Sequence, residues 1–408
     1  MAPATLSELS RLFLKLGTFG FGGPAAHIAT MEEEVVQRKH WLDDQQFLDL
    51  VGATNLIPGP NSTELAIHIG YQQRGWPGLF VAGSCFVLPA ILITSLFAWL
   101  YVEYGQLPET APLMAGIQPT VLAIILIAGW RLGKKALTGK LLPGIALVVA
   151  GASLFLPGRE VFILLTSSLI GALLVKPRDE QPPPASTKPG PSQPATGSAV
   201  MLVSASTVTA TGTASSSASL AMIAWIFLKV GAVLYGSGYV LIAYLEGELV
   251  HQRHWLTSNQ LLDAIAIGQF TPGPILSTAT FIGYLLLADQ GPLLAASGAV
   301  TATVAIFLPA FLLVGITSPW VSKLRSHRTL SKFLDAVNAA SMGLMAAVVL
   351  RLGKPTLFPE DAASPWTIPC RLFIVVLAMI LVFRYRVSPI LVIACGLLLG
   401  LLLGEWLV

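Results

Sequence analysis

The chain carries Pro-Gly-Pro twice, within NLIPGPNSTELAIHIGY and within QFTPGPILSTATFIGY. Both copies lie in apolar surroundings, where proline ends or kinks a helix and glycine weakens it. Such a break frees backbone groups that lipid cannot satisfy, so it must face protein or a water-filled cavity. The second proline also opens a new helix, whose free N–H groups and positive dipole end favour an anion. Asn61, Ser62 and Thr63 stand at that point in the first copy, and Ser277 and Thr278 in the second. Hydroxyl and amide donors there suit an oxyanion. The candidate binding set is therefore Pro58, Gly59, Pro60, Pro272, Gly273 and Pro274, these donors, and Asn55, Gln269 and Thr271 just before the breaks. A second kind of break, Gly20-Phe21-Gly22-Gly23-Pro24, recurs as Tyr235-Gly236-Ser237-Gly238 and adds Gly22, Gly23, Gly236 and Ser237. A lone Pro-Gly-Pro reads as a loop between helices. Its recurrence in apolar surroundings, with polar residues after it, favours a binding site.

The charged candidates have competing readings. Glu64 follows the first Pro-Gly-Pro, with Thr278 as its counterpart. It carries a proton coupled to the anion, pairs with a cation near the site, or caps a helical turn. Glu32, Glu34, Glu246 and Glu248 flank the glycine-rich breaks; Glu32 and Glu246 lie deeper and are the better proton carriers. Their alternative is an interfacial cluster with Arg38, Lys39 and Arg253. Lys15 and Lys229 occupy matched positions and either neutralise a dianion or snorkel to the interface. Arg74 guards an entrance or marks the cytoplasmic side. His27 and His68 read as structural before they read as proton carriers. Arg131 and Arg351 end spans and read as headgroup anchors.

These residues need a scaffold, and composition limits it. The chain has 408 residues, 54% hydrophobic and only 11% charged, against about 25% charged in soluble domains. Apolar runs of about 20 residues, such as Leu79–Leu100, Leu113–Trp130 and Leu293–Ile316, are long enough to span a bilayer. Strand-like alternation does not recur, so the expected fold is an all-α polytopic membrane protein, not a barrel. The mixed charges of the first residues do not read as a cleaved signal. A net charge of +3, scattered among loops, argues against nucleic acid. Cys85, Cys370 and Cys395 read as packing residues, without metal-ligand spacing. A nucleotide-binding P-loop is absent, no set of nucleophile and base converges, and no cofactor is implied. The chain is not expected to be an enzyme or a primary pump.

A Pro-, Ser-, Thr- and Ala-rich linker over 177–219 divides the chain into 1–176 and 220–408. The two sides repeat each other. Lys15 pairs with Lys229, Gly22 with Gly236, Glu32 with Glu246, His40-Trp41 with His254-Trp255, Asp49 with Asp263 and Pro58 with Pro272, at one constant offset. Leu88-Pro89 then matches Leu308-Pro309, and Arg131-Leu132-Gly133-Lys134 matches Arg351-Leu352-Gly353-Lys354. Basic residues in short loops stay cytoplasmic. The loop Glu103–Ala111 has none and reads as outside, whereas its counterpart Ser318–Ser331 carries Lys323, Arg325 and Arg328 and reads as inside. Lys176, Arg178 and Lys188 place the linker inside. The halves are therefore expected as inverted-topology repeats. About five full spans and one re-entrant pair per half satisfy every loop; counting the short pieces separately gives up to about 13.

The stretches FGFGGPAAHIATMEEEVVQRKHWL, NLIPGPNSTELAIHIGY and QFTPGPILSTATFIGY resemble the chromate ion transporter family in its long two-domain form, from about Leu9 to Trp406 apart from the linker. The resemblance implies export of chromate across the cytoplasmic membrane, driven by the proton motive force, giving resistance. Sulfate, a tetrahedral dianion of the same shape, is a related substrate, so a sulfate/chromate exchanger and an uncoupled oxyanion channel are the alternatives. The second copy departs from the first where Gly23-Pro24 becomes Ser237-Gly238, Asn55 becomes Gln269 and Asn61 becomes Ile275, which weights the contacts toward the first half. The sequence leaves a homodimer open.

Overall fold

A computed structural model describes residues 4–20, 23–105, 107, 110–174, 218–235, 238–320, 328–359 and 364–407. Gly22, Gly236 and Ser237 lie outside the described residues, as do Lys176, Lys323, Arg325 and the linker up to residue 217. The described residues are helical, without a strand. The first half comprises α1 (Leu6–Phe19), α2 (Gly23–Glu32), α3 (Asp44–Thr54), α4 (Asn61–Tyr104), α5 (Ala111–Ala136), α6 (Leu141–Phe155) and α7 (Glu160–Leu174). The second comprises α8 (Leu220–Val233), α9 (Leu241–Leu245), α10 (Ser258–Phe270), α11 (Thr278–Leu285), α12 (Pro292–Thr317), α13 (Arg328–Leu357), α14 (Thr367–Arg384), α15 (Pro389–Leu402) and the short α16 (Gly404–Leu407). Among the described residues, five helices are long and apolar enough to cross a membrane: α4, α5, α12, α14 and the Lys332–Leu357 part of α13. The apolar runs read from the sequence fall inside α4, α5 and α12.

Matched sequence makes matched local structure. π-helical turns follow α2 at Glu33–Arg38 and α9 at Glu246–Gln252. Each ends in a histidine with positive φ, His40 at 51° and His254 at 54°, a conformation that histidine tolerates better than most residues. The next two amides then turn back onto one carbonyl. Trp41 and Leu42 donate to Val35 O at 2.8 and 3.4 Å, and Trp255 and Leu256 to Leu249 O at 2.8 and 3.2 Å. Lys39 lies over Trp41 and Arg253 over Trp255, each 5.1 Å from the ring centroid. The repeated His-Trp-Leu is thus a turn device. Capping boxes start the following helices, Asp43 with Gln46 for α3 and Thr257 with Gln260 for α10.

Within α4, non-helical angles at Arg74 (φ −144°, ψ 20°) and Gly75 (φ 60°, ψ −144°) separate a short arm from the long span. The arm folds against the span where Gly70 meets the Gly78 backbone; Gly283 meets Gly298 in the second half, between α11 and α12. A Cβ at any of these four would overlap the facing carbonyl. The second copy has one residue fewer between Pro-Gly-Pro and this glycine, so the constant offset slips by one here.

Hydrogen bonds fix where the arms lie. Ala4 N donates to Gln73 Oε1 at 3.0 Å, Arg74 Nε to Ala4 O at 2.6 Å, and Gln73 Nε2 to Trp41 O at 3.0 Å. The start of α1, the turn after α2 and the end of the α4 arm therefore share one end of the bundle. Hence α1 with α2, and α3 with the α4 arm, are two hairpins that enter and leave at that end and turn back at a break. The sequence count allows one re-entrant pair per half, at Pro-Gly-Pro, and marks Gly20–Pro24 as a further break. In the structure the carboxyl end of α1, Gly20, stops at a break of the other half.

The long helices of the two halves run antiparallel. Phe80 stacks on Phe311 with centroids 5.9 Å apart, and Trp76 lies where a Cβ on Gly315 would go, pairing α4 with α12. Gly129 faces Met345 and Gly353 faces Leu122, pairing α5 with α13. The halves also exchange packing partners: α6 and α7 lie on α13, and α14 and α15 lie on α5. In a background lacking Cys85, Cys370 and Cys395, Lys140→Cys and Arg384→Cys should react with an impermeant thiol reagent from one face only. Arg159→Cys and Asn259→Cys should react from the opposite face only. Reaction of all four from one face would contradict the arrangement.

Candidate functional site

Four breaks meet, and each half completes the other. Gly59 N donates to Leu234 O at 2.7 Å, and Gly273 N donates to Gly20 O at 3.1 Å. Gly59 and Gly273 are matched positions, and so are Gly20 and Leu234. Each Pro-Gly-Pro thus has its central amide satisfied by the glycine-rich break of the opposite half. The backbone there requires glycine: φ is +148° at Gly59 and +99° at Gly273. A Cβ on Gly59 would also overlap Glu64 Oε1, and one on Gly273 would lie 2.9 Å from the Ala90 methyl.

The helices that leave the breaks carry buried polar groups. Pro58, Gly59, Pro60, Ser62, Thr63 and Glu64 are buried in the first copy, and Thr271, Pro272, Pro274, Ser277 and Thr278 in the second. Thr63 Oγ1, Thr278 Oγ1 and both Glu64 carboxyl oxygens have no hydrogen-bond partner among the described residues. Such groups ordinarily find partners, so each is open to a further one. Asn61 Nδ2 donates to Asn55 Oδ1 at 2.9 Å and closes the first break on its exposed side. In the second, Thr271 Oγ1 stands 3.5 Å from both Ser277 Oγ and Thr94 Oγ1. Those spacings exceed the 2.5–3.0 Å of good hydroxyl hydrogen bonds. Thr271 Oγ1 itself donates to Gly268 O at 3.2 Å, which leaves the Ser277 and Thr94 hydroxyls available to a ligand. Gln269 Oε1 accepts from the Tyr239 hydroxyl at 3.2 Å. Gly23, with φ +77°, has open space around it.

The cation candidates are engaged elsewhere. Lys15 Nζ pairs with Glu34 Oε1 at 2.9 Å, and Lys229 pairs with Glu248. Arg38 and Arg253 join the same carboxylates at 3.3 and 3.2 Å. Glu34 and Glu248 therefore belong to charge clusters on the π-helical turns, away from the breaks. Glu32 is partly exposed beside the first cluster. Glu246 is fully buried and lies 2.8 Å from Arg351. That corrects the reading of Arg351 as a headgroup anchor, because its side chain is only 11% exposed. Arg131 is exposed and donates to Val382 O at 3.4 Å. His27 Nε2 contacts Gly20 O at 2.9 Å, and His68 Nδ1 contacts Ser318 Oγ at 2.9 Å.

Sequence reasoning missed the partners that cross between halves. Asp263 is buried on α10 and accepts from Tyr101 at 2.8 Å and from Gln118 at 3.1 Å, both in the first half. Its pairing with Asp49 marked it as a repeated residue but gave no hint of these donors. An apolar groove of about 590 Å³ between α5 and α13, lined by Leu126, Trp130, Met342 and Met345, lies apart from the breaks. Among the described residues no group of three His, Cys, Asp or Glu could hold a metal ion.

The profile of the chromate transporter family matches residues 7–174 and again 221–401. The chain belongs to the chromate transporter family. The repeated match falls on the two halves whose breaks pair. The probable chromate transport protein of Synechococcus elongatus is 32% identical over 354 residues, 86% of this chain and 86% of its own. The chromate transport proteins of Cupriavidus metallidurans and Pseudomonas aeruginosa are 31% and 30% identical, covering 97% and 100% of this chain and 93% of each relative. No solved structure matches the chain. Members of this family are multi-pass membrane transporters, in keeping with the five long apolar helices.

Substituting Gly59→Ala or Gly273→Ala forces a side chain into a left-handed backbone conformation at a cost of about 1–3 kcal/mol. Either variant should lower the denaturation midpoint in detergent and cut transport by about tenfold or more. Glycine to alanine at Gly144, which faces open space, is the control and should change neither.

Proposed function

We propose that this chain is a secondary active transporter that exports chromate across the cytoplasmic membrane, driven by the proton motive force, and so confers chromate resistance. Its two repeats, 1–176 and 220–408, have inverted topology and are joined by the linker over 177–219. The observation that carries the reading is the reciprocal pairing of the four breaks, with unpartnered hydroxyls at the helix starts beside them. Inverted repeats with discontinuous helices that meet at the midplane are a recurring plan of secondary transporters. The antiparallel runs of α4 with α12 and of α5 with α13 support the inversion. The relatives named chromate transport proteins support the substrate.

Chemistry assigns the roles. Asn61, Ser62 and Thr63 on one side, and Ser277 and Thr278 on the other, donate to the oxygens of the tetrahedral dianion. The amino ends of the two helices supply positive potential in place of a lysine or arginine. Glu64 shares its turn with the bound dianion, and two unscreened negative charges there would repel strongly. Glu64 therefore holds a proton while the anion is bound. Export driven by inward proton flow requires that it keep this proton on the empty return step, so it offers the anion a neutral donor and carries no net proton. Linkage gives the sign: anion affinity rises as pH falls, because protonation of Glu64 and anion binding favour each other.

Everted vesicles acidified inside should accumulate labelled chromate, lose it with a protonophore, and accumulate less with excess sulfate. Asn61→Ala and Thr278→Ala should each weaken chromate affinity by about tenfold, the value of one charge-assisted hydrogen bond. Glu64→Gln should flatten the dependence of affinity on pH. Uptake that ignores the protonophore and follows only the anion gradient would favour an exchanger or a channel.

A further inference from the structure

The end of the bundle opposite the amino terminus holds a buried charge network that the binding breaks do not use. Glu246 Oε2 lies 2.8 Å from Arg351 Nη2, and Glu246 Oε1 lies 2.6 Å from His251 Nε2. The same Arg351 Nη2 donates to Glu160 Oε1 at 3.3 Å. Arg351 also donates to Ser153, to the carbonyl at 3.2 Å and to the hydroxyl at 3.3 Å. Glu160 and Ser153 belong to the first half, the other three to the second. The Glu160 carboxyl presses on Gly247, where a Cβ would overlap it, and accepts from Gly158 N at 3.1 Å. Glu160, Glu246 and Arg351 are almost wholly buried, whereas the His251 side chain is 38% exposed. The charged and titratable groups facing Glu246 are Arg351 from α13, Glu160 from α7, and His251 on its own turn with His254 behind it. Tyr244 faces Glu160 from α9.

Charge counting makes this a proton site. With His251 neutral, two carboxylates face one guanidinium, leaving one uncompensated negative charge in a buried place, a costly arrangement. One proton balances it, and His251 is the member open to solvent. The duplication supplies the same residue types to the other half, Glu32 for Glu246 and Arg131 for Arg351. Among the described residues no such network forms there: Arg131 turns to Val382 O, and Gln37 stands where His251 would. Among the described residues the device stands at one end only, the end whose Glu103–Ala111 loop reads as outside.

Resting on the export reading above, we propose that Glu160, Arg351, Glu246 and His251 form the outer proton-binding site that couples proton entry to chromate export. A proton taken by His251 or Glu246 loosens the hold of Glu246 on Arg351 and leaves Arg351 to Glu160. The guanidinium thereby shifts from a contact within the second half to the contact of α13 with α7 across the halves.

The test compares two activities in everted vesicles, whose lumen faces this end. One is chromate accumulation driven by an acid lumen; the other is exchange of labelled for unlabelled chromate with no proton gradient. His251→Asn and Glu160→Gln should each lower driven accumulation by about tenfold and leave exchange within about twofold of wild type. Accumulation in both variants equal to wild type, with the same dependence on lumen pH, would overturn the inference alone. Equal loss of accumulation and exchange in both would also overturn it, by assigning the network a purely structural role. Wild-type vesicles that exchange chromate but never accumulate it would remove proton coupling itself, and this role with it.

Discussion

Two backbone hydrogen bonds, Gly59 N to Leu234 O and Gly273 N to Gly20 O, are the contacts on which the rest of the structure depends. An apolar chain cannot interrupt its helices in lipid without satisfying the freed amides. Here neither half can do so alone, because each Pro-Gly-Pro amide finds its acceptor in the other half. With the breaks paired in this way, the long helices that continue from them run antiparallel, α4 along α12 and α5 along α13. The exchange of α6 and α7 onto α13, and of α14 and α15 onto α5, then closes the bundle around the paired breaks.

The two copies have diverged where an asymmetric task would need it. Glu64 stands after the first Pro-Gly-Pro, where the counterpart region of the second half has hydroxyls. The Glu246 and Arg351 pair gains Glu160 and His251, while Glu32 and Arg131 gain neither. A symmetric scaffold gives two similar conformations for a binding site to alternate between. In the proposed export cycle, unequal side chains let one end respond to protons differently from the other.

Much of this plan was legible in the sequence, because duplication is visible without coordinates. The apolar runs within α4, α5 and α12, the breaks at Pro-Gly-Pro and the positions of the donors after them all follow from composition and local chemistry. The break at Gly20–Pro24 was legible, but not that α1 and α2 fold back there as a second hairpin. At 14 residues α1 (Leu6–Phe19) is of ambiguous length, and only contacts such as Ala4 with Gln73 show where it ends. Side-chain partners across the halves were equally hidden. Lys15 and Lys229 looked like ligands for a dianion because their carboxylate partners stand 19 residues further on, beyond a hairpin. Arg351 looked like an interfacial anchor because Glu160 comes from the other half. Periodicity reports which face of a helix is apolar, not which helix covers it.

The most direct measurement is an experimental map of the protein with chromate bound. The account predicts the oxyanion at the meeting of the four breaks, touching Asn61, Thr63, Ser277 and Thr278, with Gly59 and Gly273 still bonded across the halves. An anion bound elsewhere in the bundle, or breaks that separate with lipid between them, would contradict it.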